Sequence, residues 1–270
     1  MRALIFGDIY GRIGREAFLK NLSLLREKYS PDFIFVNADN ISSGRGPIKK
    51  HIGEFENTGI DVIFTGDHIF DNEEDIKANL NSSYSLLIRP ANFYESAQYK
   101  MPGVGYKIIE KKEKKILVIH LLGQVFMKYE VYNPFLKLEE ILTEFSQEKF
   151  DAVFVDFHRE TSAEIYGMGF MFDGRLSLLY GTHTHIQTND EQILPLGTGM
   201  ITDVGMTGPR FSVIGADYKS VEKRFQTGII KGRIEQSLDK NYILNALIAD
   251  IDEKTGKCIF IDKISIKDKL

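Results

Sequence analysis

The feature that most constrains the fold of this chain is a repeated alternation of short apolar segments with amphipathic helical segments. The apolar runs RALIFGD, DFIFVNADN and DVIFTGDH precede GREAFLKNLSLLREKY, IKKHIGEFENTG and NEEDIKANL, respectively. Short β-branched and aromatic runs favour strands, whereas apolar residues three and four positions apart favour a helix. Consecutive strand–helix units of this kind predict a parallel sheet covered by helices.

Later segments extend the pattern. KKILVIHLLG, DAVFVDFH and RLSLLYGTHTH predict further strands that continue the sheet, and PFLKLEEILTEFSQ predicts a helix. The stretch 89–105, with several Pro and Gly residues, predicts a surface excursion near the site, and KKEKK predicts a hairpin turn. Beyond Gln226, TGIIKGRIE, YILNALIADID and KCIFIDKISI alternate like antiparallel strands. We therefore expect one domain over residues 1–270, with C-terminal strands over about 226–270.

Composition limits the classes of function. A chain of 270 residues with 43% hydrophobic content is long enough to bury a sizeable core, and its net charge of −4 argues against a broad electrostatic nucleic-acid surface. The only cysteine, Cys258, excludes an internal disulfide, and its apolar neighbours predict a buried strand residue rather than a reactive thiol. The start MRALIFGD predicts no signal peptide, and no membrane span is expected. These features together predict a soluble cytoplasmic protein.

Polar residues suited to metal binding stand at the ends of the predicted strands. They are Asp8, Asp39, Asn40, Asp67, His68, His158, His183 and His185. Alone, each aspartate is better explained as a helix cap or turn residue, and His158 as a buried core histidine. Ligands of open α/β sheets bind beyond the carboxyl ends of the strands, so residues far apart in sequence converge there. Their coincidence predicts a shared metal site. His51, on a charged helix, is expected to be solvated, and His120, which could lie at a strand end, is only a weak candidate for the site.

Seven motifs carry a resemblance to a known family: GDIYGRIG, NADN, GDHIFD, IRPANF, VDFHRE, GTHTHIQTND and ITDVGMTGP. They resemble the calcineurin-like metallophosphoesterase superfamily and, within it, the YmdB-like branch of bacterial 2′,3′-cyclic nucleotide phosphodiesterases. The resemblance extends from Met1 to about Gln226. It implies an α/β fold in which a sandwich of two mixed sheets is flanked by helices, and it suggests a homo-oligomer.

The resemblance also implies a role for each residue at the site. One metal would be held by Asp8, Asn40 and His185, the other by Asp67, His158 and His183, with Asp39 between them and His68 as general acid. The cofactors would be two divalent or mixed-valence transition metal ions, with iron favoured and manganese or zinc also suitable. Hydroxide activated by the two ions would attack the phosphorus of a cyclic nucleotide or another phosphodiester, while His68 protonates the leaving oxygen.

Two positions depart from the family pattern. Asp39 stands where Glu is usual, and Asp67 stands where Asn is usual. With two divalent ions, three carboxylates leave a net charge of about +1 on the ligand shell, against about +2 for the family pattern. A less positive centre should hold its metals firmly but polarise an anionic phosphate less.

Two other functions stay open at this point. A regulatory protein could use a metal-loaded cleft to sense a nucleotide or an RNA end, with catalysis weakened by the two departures. A phosphomonoesterase is the nearest alternative enzyme. Retention of His68 favours an enzyme, because a binding protein has little need for a proton donor.

Several flanking residues have two interpretations each. Asp71 could orient His68, although a helix N-cap is the simpler role. Asp203 could support a histidine ligand, and DVGMTGP could bring backbone close to the metals or form a tight turn. The loop cations could contact phosphate, with solvated surface charge as the simpler explanation; they are Arg45, Lys49, Lys50 and Arg210.

Overall fold

The strands of the chain form two six-stranded sheets. The computed structural model describes residues 1–229 and 232–270. The strands are β1 (Arg2–Ile9), β2 (Phe33–Asn37), β3 (Val62–Phe64), β4 (Tyr106–Lys111), β5 (Lys114–Leu122), β6 (Ala152–His158), β7 (Leu178–Thr182), β8 (Gln192–Ile193), β9 (Gly199–Ile201), β10 (Met206–Pro209), β11 (Asn241–Ile251) and β12 (Cys258–Lys269). The helices are α1 (Gly11–Tyr29), α2 (Lys49–Glu56), α3 (Glu73–Leu80), α4 (Pro134–Glu144), α5 (Ser162–Met171) and α6 (Tyr218–Thr227).

Both sheets are mixed. The first has the order β12-β11-β10-β1-β2-β3, in which β10, β1, β2 and β3 are parallel to one another, whereas β11 is antiparallel to β10, β1 and β12. The second has the order β4-β5-β6-β7-β9-β8, with β5, β6, β7 and β9 parallel. The two-sheet sandwich flanked by helices is therefore confirmed. The expectation that the later strands continue the first sheet is wrong.

The two sheets share one apolar interface. Alternate residues of β1, such as Ile5, pack with β2 residues such as Phe35 against the second sheet, where Phe154 lies 5.2 Å from the Phe35 ring in an edge-to-face contact. The other face of β1, including Phe6, packs on α1 through Phe18. Strands buried on both faces are continuous apolar runs, so the strand–helix pattern could not show that the chain begins a second sheet.

The C-terminal region follows the sequence prediction only in part. YILNALIADID and KCIFIDKISI form β11 and β12, which pair antiparallel. The prediction that TGIIKGRIE forms a strand is wrong for the described residues. Thr227 ends α6, Gly228 takes a left-handed conformation, and residues 232–235 are not in a strand. Ile230 and Lys231, in the middle of that segment, lie outside the described residues. A mainly charged helix with only Val221 buried has no apolar period to identify it.

Two predicted connections are present. KKEKK forms the turn between β4 and β5, where Lys112 and Glu113 have positive φ angles of 51° and 63°. Residues 89–105 form no helix or strand. None of the helices in the described residues is long and apolar enough to cross a membrane.

Candidate metal centre

The predicted ligands come together in one cleft at the carboxyl ends of the parallel strands of both sheets. Asp8 lies near the end of β1, and the other carboxylates and Asn40 follow β2 and β3. From the second sheet, His158 ends β6, and the two remaining histidines follow β7. The convergence arises because the parallel strands of each sheet end at the same edge.

Asp8, Asn40 and His185 form one side of the cleft. His185 Nε2 lies 2.9 Å from Asn40 Oδ1 and 3.8 Å from Asp8 Oδ1. The other ring nitrogen, Nδ1, lies 2.7 Å from the carbonyl oxygen of Ile214. A ring nitrogen that donates to a carbonyl fixes the tautomer and leaves the other nitrogen free to bind a cation.

Asp67, His158 and His183 form the other side. His158 Nε2 lies 3.5 Å from Asp67 Oδ1 and 3.1 Å from His183 Nδ1, and the three residues form a group that could hold a metal ion. Asp39 lies beside this group, with its Oδ2 3.5 Å from His158 Nε2. The structure therefore brings together the set that the sequence predicted for the second ion.

Three buried carboxylate oxygens in the cleft have no hydrogen-bond partner among the described residues: Asp8 Oδ1, Asp39 Oδ2 and Asp67 Oδ1. The second oxygen of Asp8 accepts from the His183 N–H at 3.0 Å, and that of Asp39 from the His68 N–H at 3.0 Å. Unpaired anionic oxygens are costly to bury unless a cation compensates them. Carboxylate, amide and imidazole ligands together suit iron, manganese or zinc, so the residues fit the two ions that the family resemblance implies.

Burial sets the protonation of the metal-free cleft. Burial, followed by the charges of Asp67 and Asp8, raises the pKa of Asp39 well above its usual value. Burial also raises the pKa of Asp8 to about 6 and lowers that of His158 to about 3. The His158 imidazole is therefore neutral, as a metal ligand must be, and cations must displace protons from the carboxyls when they bind.

A hydrogen-bond chain that the sequence analysis missed holds His158. Its Nδ1 lies 2.9 Å from Thr182 Oγ1, and that hydroxyl donates to Asp156 Oδ1 at 2.8 Å. Asp156 precedes His158 by two positions on β6 and so points to the same face, which is the signal that could have found it. Glu160, also missed, places Oε2 3.2 Å from His183 Nε2.

His68 lies at the rim with one ring nitrogen engaged. Nδ1 is 2.7 Å from Asp71 Oδ2, and Lys128 Nζ is 2.6 Å from the other Asp71 oxygen. The expected N-cap role of Asp71 is wrong, since Asn72 occupies the cap position of α3. His68 Nε2 lies 4.0 Å from Asp67 Oδ1, and His68, Asp67 and Asp39 also form a group that could hold a metal ion.

The Asp203 carboxylate supports the loop that carries His183 and His185 by accepting hydrogen bonds from Thr184 and Gly205, and not from a histidine ring. The carboxylate accepts from Thr184 N at 3.0 Å, from Thr184 Oγ1 at 2.9 Å and from Gly205 N at 2.7 Å. The flanking His183 and His185 have positive φ angles of 104° and 66°, which is costly for residues other than Gly. The contacts to Asp203 hold this strained loop in place.

DVGMTGP passes close to β1. A Cβ added to Gly7 would lie 1.8 Å from the carbonyl oxygen of Gly205, and that oxygen accepts from the Asp8 N–H at 3.1 Å. The glycines thus allow the backbone to approach the strand that carries Asp8.

The remaining histidines lie outside the cleft. His120 is fully buried inside β5, not at its end, and its Nδ1 lies 3.2 Å from the carbonyl oxygen of Asp156. His51 is half-buried, with Nδ1 2.8 Å from Ser42 Oγ, so the expectation of a freely solvated ring is wrong.

The loop cations divide between two cavities. Arg45 lines a cavity that also contains His68, whereas Arg210 lines a different one beside His185. Lys49 and Lys50 are exposed on α2. The irregular stretch 89–105 lines a third cavity, whose lining contains none of the predicted ligands.

Comparison with known proteins gives one consistent result. The family model described as YmdB-like protein matches residues 4–264. A 2′,3′-cyclic-nucleotide 2′-phosphodiesterase of Bacillus subtilis (strain 168) is 36% identical over 269 residues, which cover 99% of this chain and 98% of that protein.

Two solved structures cover nearly the whole chain. The crystal structure of a novel phosphatase from Mycoplasma pneumoniae has a TM-score of 0.90 at 33% identity and covers 100% of this chain and 94% of its own. That of a hypothetical protein from Thermus thermophilus has a TM-score of 0.89 at 29% identity, with coverage of 99% and 100%. The chain therefore belongs to the YmdB-like family, the branch of the calcineurin-like metallophosphoesterases that its motifs predicted.

Proposed function

We propose that this chain is a dinuclear-metal-dependent phosphodiesterase that hydrolyses 2′,3′-cyclic nucleotides, with His68 as the proton donor. Its family makes the chain an enzyme of the phosphodiesterase and phosphatase class. The cyclic substrate is supported by the Bacillus subtilis relative, which is named for that activity.

The observation that carries the proposal is the set of unpaired carboxylate oxygens of Asp8, Asp39 and Asp67 beside a neutral imidazole. Asp8, Asn40 and His185 would hold one cation, and Asp67, His158 and His183 the other, with Asp39 between them. Iron, manganese and zinc all suit these ligands. When bound, such a pair supplies Lewis-acid polarisation of the phosphoryl oxygen and lowers the pKa of water.

His68 supplies the proton to the leaving sugar oxygen. Its Nδ1 is fixed by Asp71 at 2.7 Å, so Nε2 is directed away from Asp71. Lys128 neutralises the second oxygen of Asp71 at 2.6 Å. A ring held in this way needs no reorientation before it donates, which is the value of a positioned general acid.

The reduced positive charge of the cleft weakens binding of a monoester more than binding of a diester. Asp67 adds a carboxylate where the family pattern has a neutral amide, so the metal-loaded centre is less positive. A phosphate monoester carries nearly two negative charges at neutral pH, and a diester carries one. Relative to the family pattern, the loss of electrostatic attraction is therefore larger for the monoester.

The test compares three substrates with metal-loaded protein: 2′,3′-cyclic AMP, bis(4-nitrophenyl) phosphate and 4-nitrophenyl phosphate. The proposal expects the cyclic nucleotide to have the highest kcat/KM and the monoester the lowest. Preference for the monoester would make the chain a phosphomonoesterase. Binding of 2′,3′-cyclic AMP without turnover of any substrate would identify a sensor protein.

A further inference from the structure

A cavity of about 560 Å³ opens from the candidate metal centre on the side of His68. Asn40, His68 and His185 form the end that meets the centre. The volume lies within the usual range of about 300–1,000 Å³ for small-molecule sites. The proposed phosphodiesterase chemistry involves only the phosphate and its leaving oxygen, so it leaves the rest of this cavity without a role.

Helix α6 supplies an aromatic wall. Phe225 projects from α6 with 68% of its surface exposed, although it is one of the largest apolar side chains. Val221 lies one turn earlier on the same wall, and Tyr10 and Ile214 complete it. An aromatic face in a mainly apolar cavity is the kind of surface on which nucleobases stack.

The cavity is strongly basic although the chain as a whole carries a net charge of −4. The cationic side chains in its lining are Arg45, Lys128, Arg224 and Arg233. Among the described residues of the lining, Asp71 is the only acid, and Lys128 and His68 already engage it. The arginines are therefore in excess over the acids of the cavity.

The arginines differ in the cavities that they line. Arg224 also lines a second cavity, of about 530 Å³, together with His183 and Thr184, so it is shared by both cavities that reach the candidate ligands. Arg45 lines the first cavity and not this second one. The single negative charge of a cyclic phosphodiester belongs at the centre beside Arg224, which leaves Arg45 without an anion.

We propose that this cavity binds the nucleoside attached to the cyclic phosphate, with its base on Phe225, and a further phosphate on the 5′ oxygen of that nucleoside near Arg45. The inference rests on the proposed phosphodiesterase function and specifies its substrate. The ligand is a nucleoside 2′,3′-cyclic phosphate that also carries a 5′-phosphoryl group. That chemistry occurs in a 5′-phosphorylated mononucleotide and at the 3′ end of a cleaved RNA.

The test measures kcat/KM of metal-loaded protein for four compounds. They are bis(4-nitrophenyl) phosphate, adenosine 2′,3′-cyclic phosphate, the same nucleotide with a 5′-phosphate, and an adenosine trinucleotide ending in a 2′,3′-cyclic phosphate. We expect both 5′-phosphorylated substrates to exceed adenosine 2′,3′-cyclic phosphate. A higher value for the trinucleotide identifies RNA ends as the source of the ligand, and a higher value for the mononucleotide identifies the free nucleotide.

Arg45→Ala tests the 5′-phosphate contact. This variant should lower the preference for 5′-phosphorylated over unphosphorylated nucleotide by about five- to tenfold, the value of one charge-assisted contact at an exposed site. It should also make the salt dependence of that preference shallower, because one screened charge–charge contact is lost. Lys50→Ala, which removes an exposed cation outside the cavity, is the matched control and should alter neither quantity.

Phe225→Ala tests the stacking contact. The ratio of kcat/KM for adenosine 2′,3′-cyclic phosphate to that for bis(4-nitrophenyl) phosphate should fall by about tenfold, within the usual range for a stacked base. Phe211→Ala is the control, because Phe211 is 64% exposed and does not line the cavity.

Two failures are distinguishable. If the unmodified protein hydrolyses neither the nitrophenyl diester nor any cyclic nucleotide, the proposed function fails. If it hydrolyses them all without preference for a 5′-phosphate, and neither Arg45→Ala nor Phe225→Ala changes the ratios, the nucleoside and 5′-phosphate subsites are overturned while the phosphodiesterase function stands.

Discussion

Replacing His68 separates proton transfer from metal binding. His68→Ala removes an imidazole whose side chain is 30% exposed, but it keeps the backbone N–H that donates to Asp39 Oδ1 at 3.0 Å. The variant should therefore fold and retain the carboxylate geometry. A positioned general acid contributes about 10²–10⁴ in rate, equivalent to about 3–5 kcal/mol at about 1.36 kcal/mol per tenfold.

The assay uses leaving groups of different basicity. With 2′,3′-cyclic AMP, whose leaving group is an alkoxide, kcat should fall by about 10²–10⁴ in His68→Ala. With bis(4-nitrophenyl) phosphate the loss should be much smaller, because nitrophenolate leaves without protonation. His183→Ala is the matched comparison, and it should lower metal content and slow both substrates alike.

One result would refute this reasoning. His68, Asp67 and Asp39 could themselves hold an ion. If His68→Ala loses one ion per chain, or if both substrates slow equally, His68 is a ligand and the proton donor lies elsewhere.

Three further predictions concern charge, the histidine loop and acid stability. Asp67→Asn should raise phosphodiester turnover without loss of metal; a joint fall of activity and metal occupancy, by kinetics and elemental analysis, would contradict the charge argument. Asp203→Ala should weaken metal affinity by about 10- to 100-fold in chelator competition, since Asp203 holds the loop between two ligands. Asp173→Ala is the control: it removes the acceptor of two backbone N–H groups in another loop and should leave metal affinity unchanged. Burial lowers the pKa of His120 from 6.5 to about 4, so only the unfolded chain gains this proton as pH falls between those values. Between pH 7 and 4, the free energy of unfolding of the metal-free protein should therefore fall by up to about 3 kcal/mol more than that of His120→Gln, as measured by urea denaturation. Equal losses in the two proteins would be inconsistent with a buried neutral His120.

The ligand set was predictable because it depends on topology more than on detail. Asp8, near the end of β1, and Asp67, after β3, stand at the carboxyl ends of parallel strands of the first sheet and therefore meet at its edge, and His158 reaches the same cleft from the corresponding edge of the second sheet. The Thr182–Asp156 support of His158 was not predicted: the two-residue spacing places Asp156 on the face of His158, but Thr182, which connects them, lies on a different strand whose pairing the sequence does not show. The sequence analysis preferred a helix N-cap for Asp71 over the contact with His68, because Asp is a common residue just before a helix.

The sequence analysis missed helices α5 and α6 because of their amino-acid composition. Helix α5, SAEIYGMGFM, contains two glycines that lower its helix propensity, and its apolar residues lie all round rather than on one face. Helix α6 has the opposite composition and buries only Val221. Yet α6 supplies Arg224 and Phe225 to the lining of the cavity, so the proposed substrate pocket could not be assembled from sequence alone.

The central claim is that the unpaired oxygens of Asp8, Asp39 and Asp67 belong to a two-ion centre. The direct measurement is a titration of metal-free protein with iron or manganese, with bound metal determined by elemental analysis and proton release followed in parallel. We expect saturation at two ions per chain, with net release of protons because burial raises the pKa values of Asp8 and Asp39. Binding of no metal, or saturation at one ion per chain without proton release, would contradict the dinuclear centre.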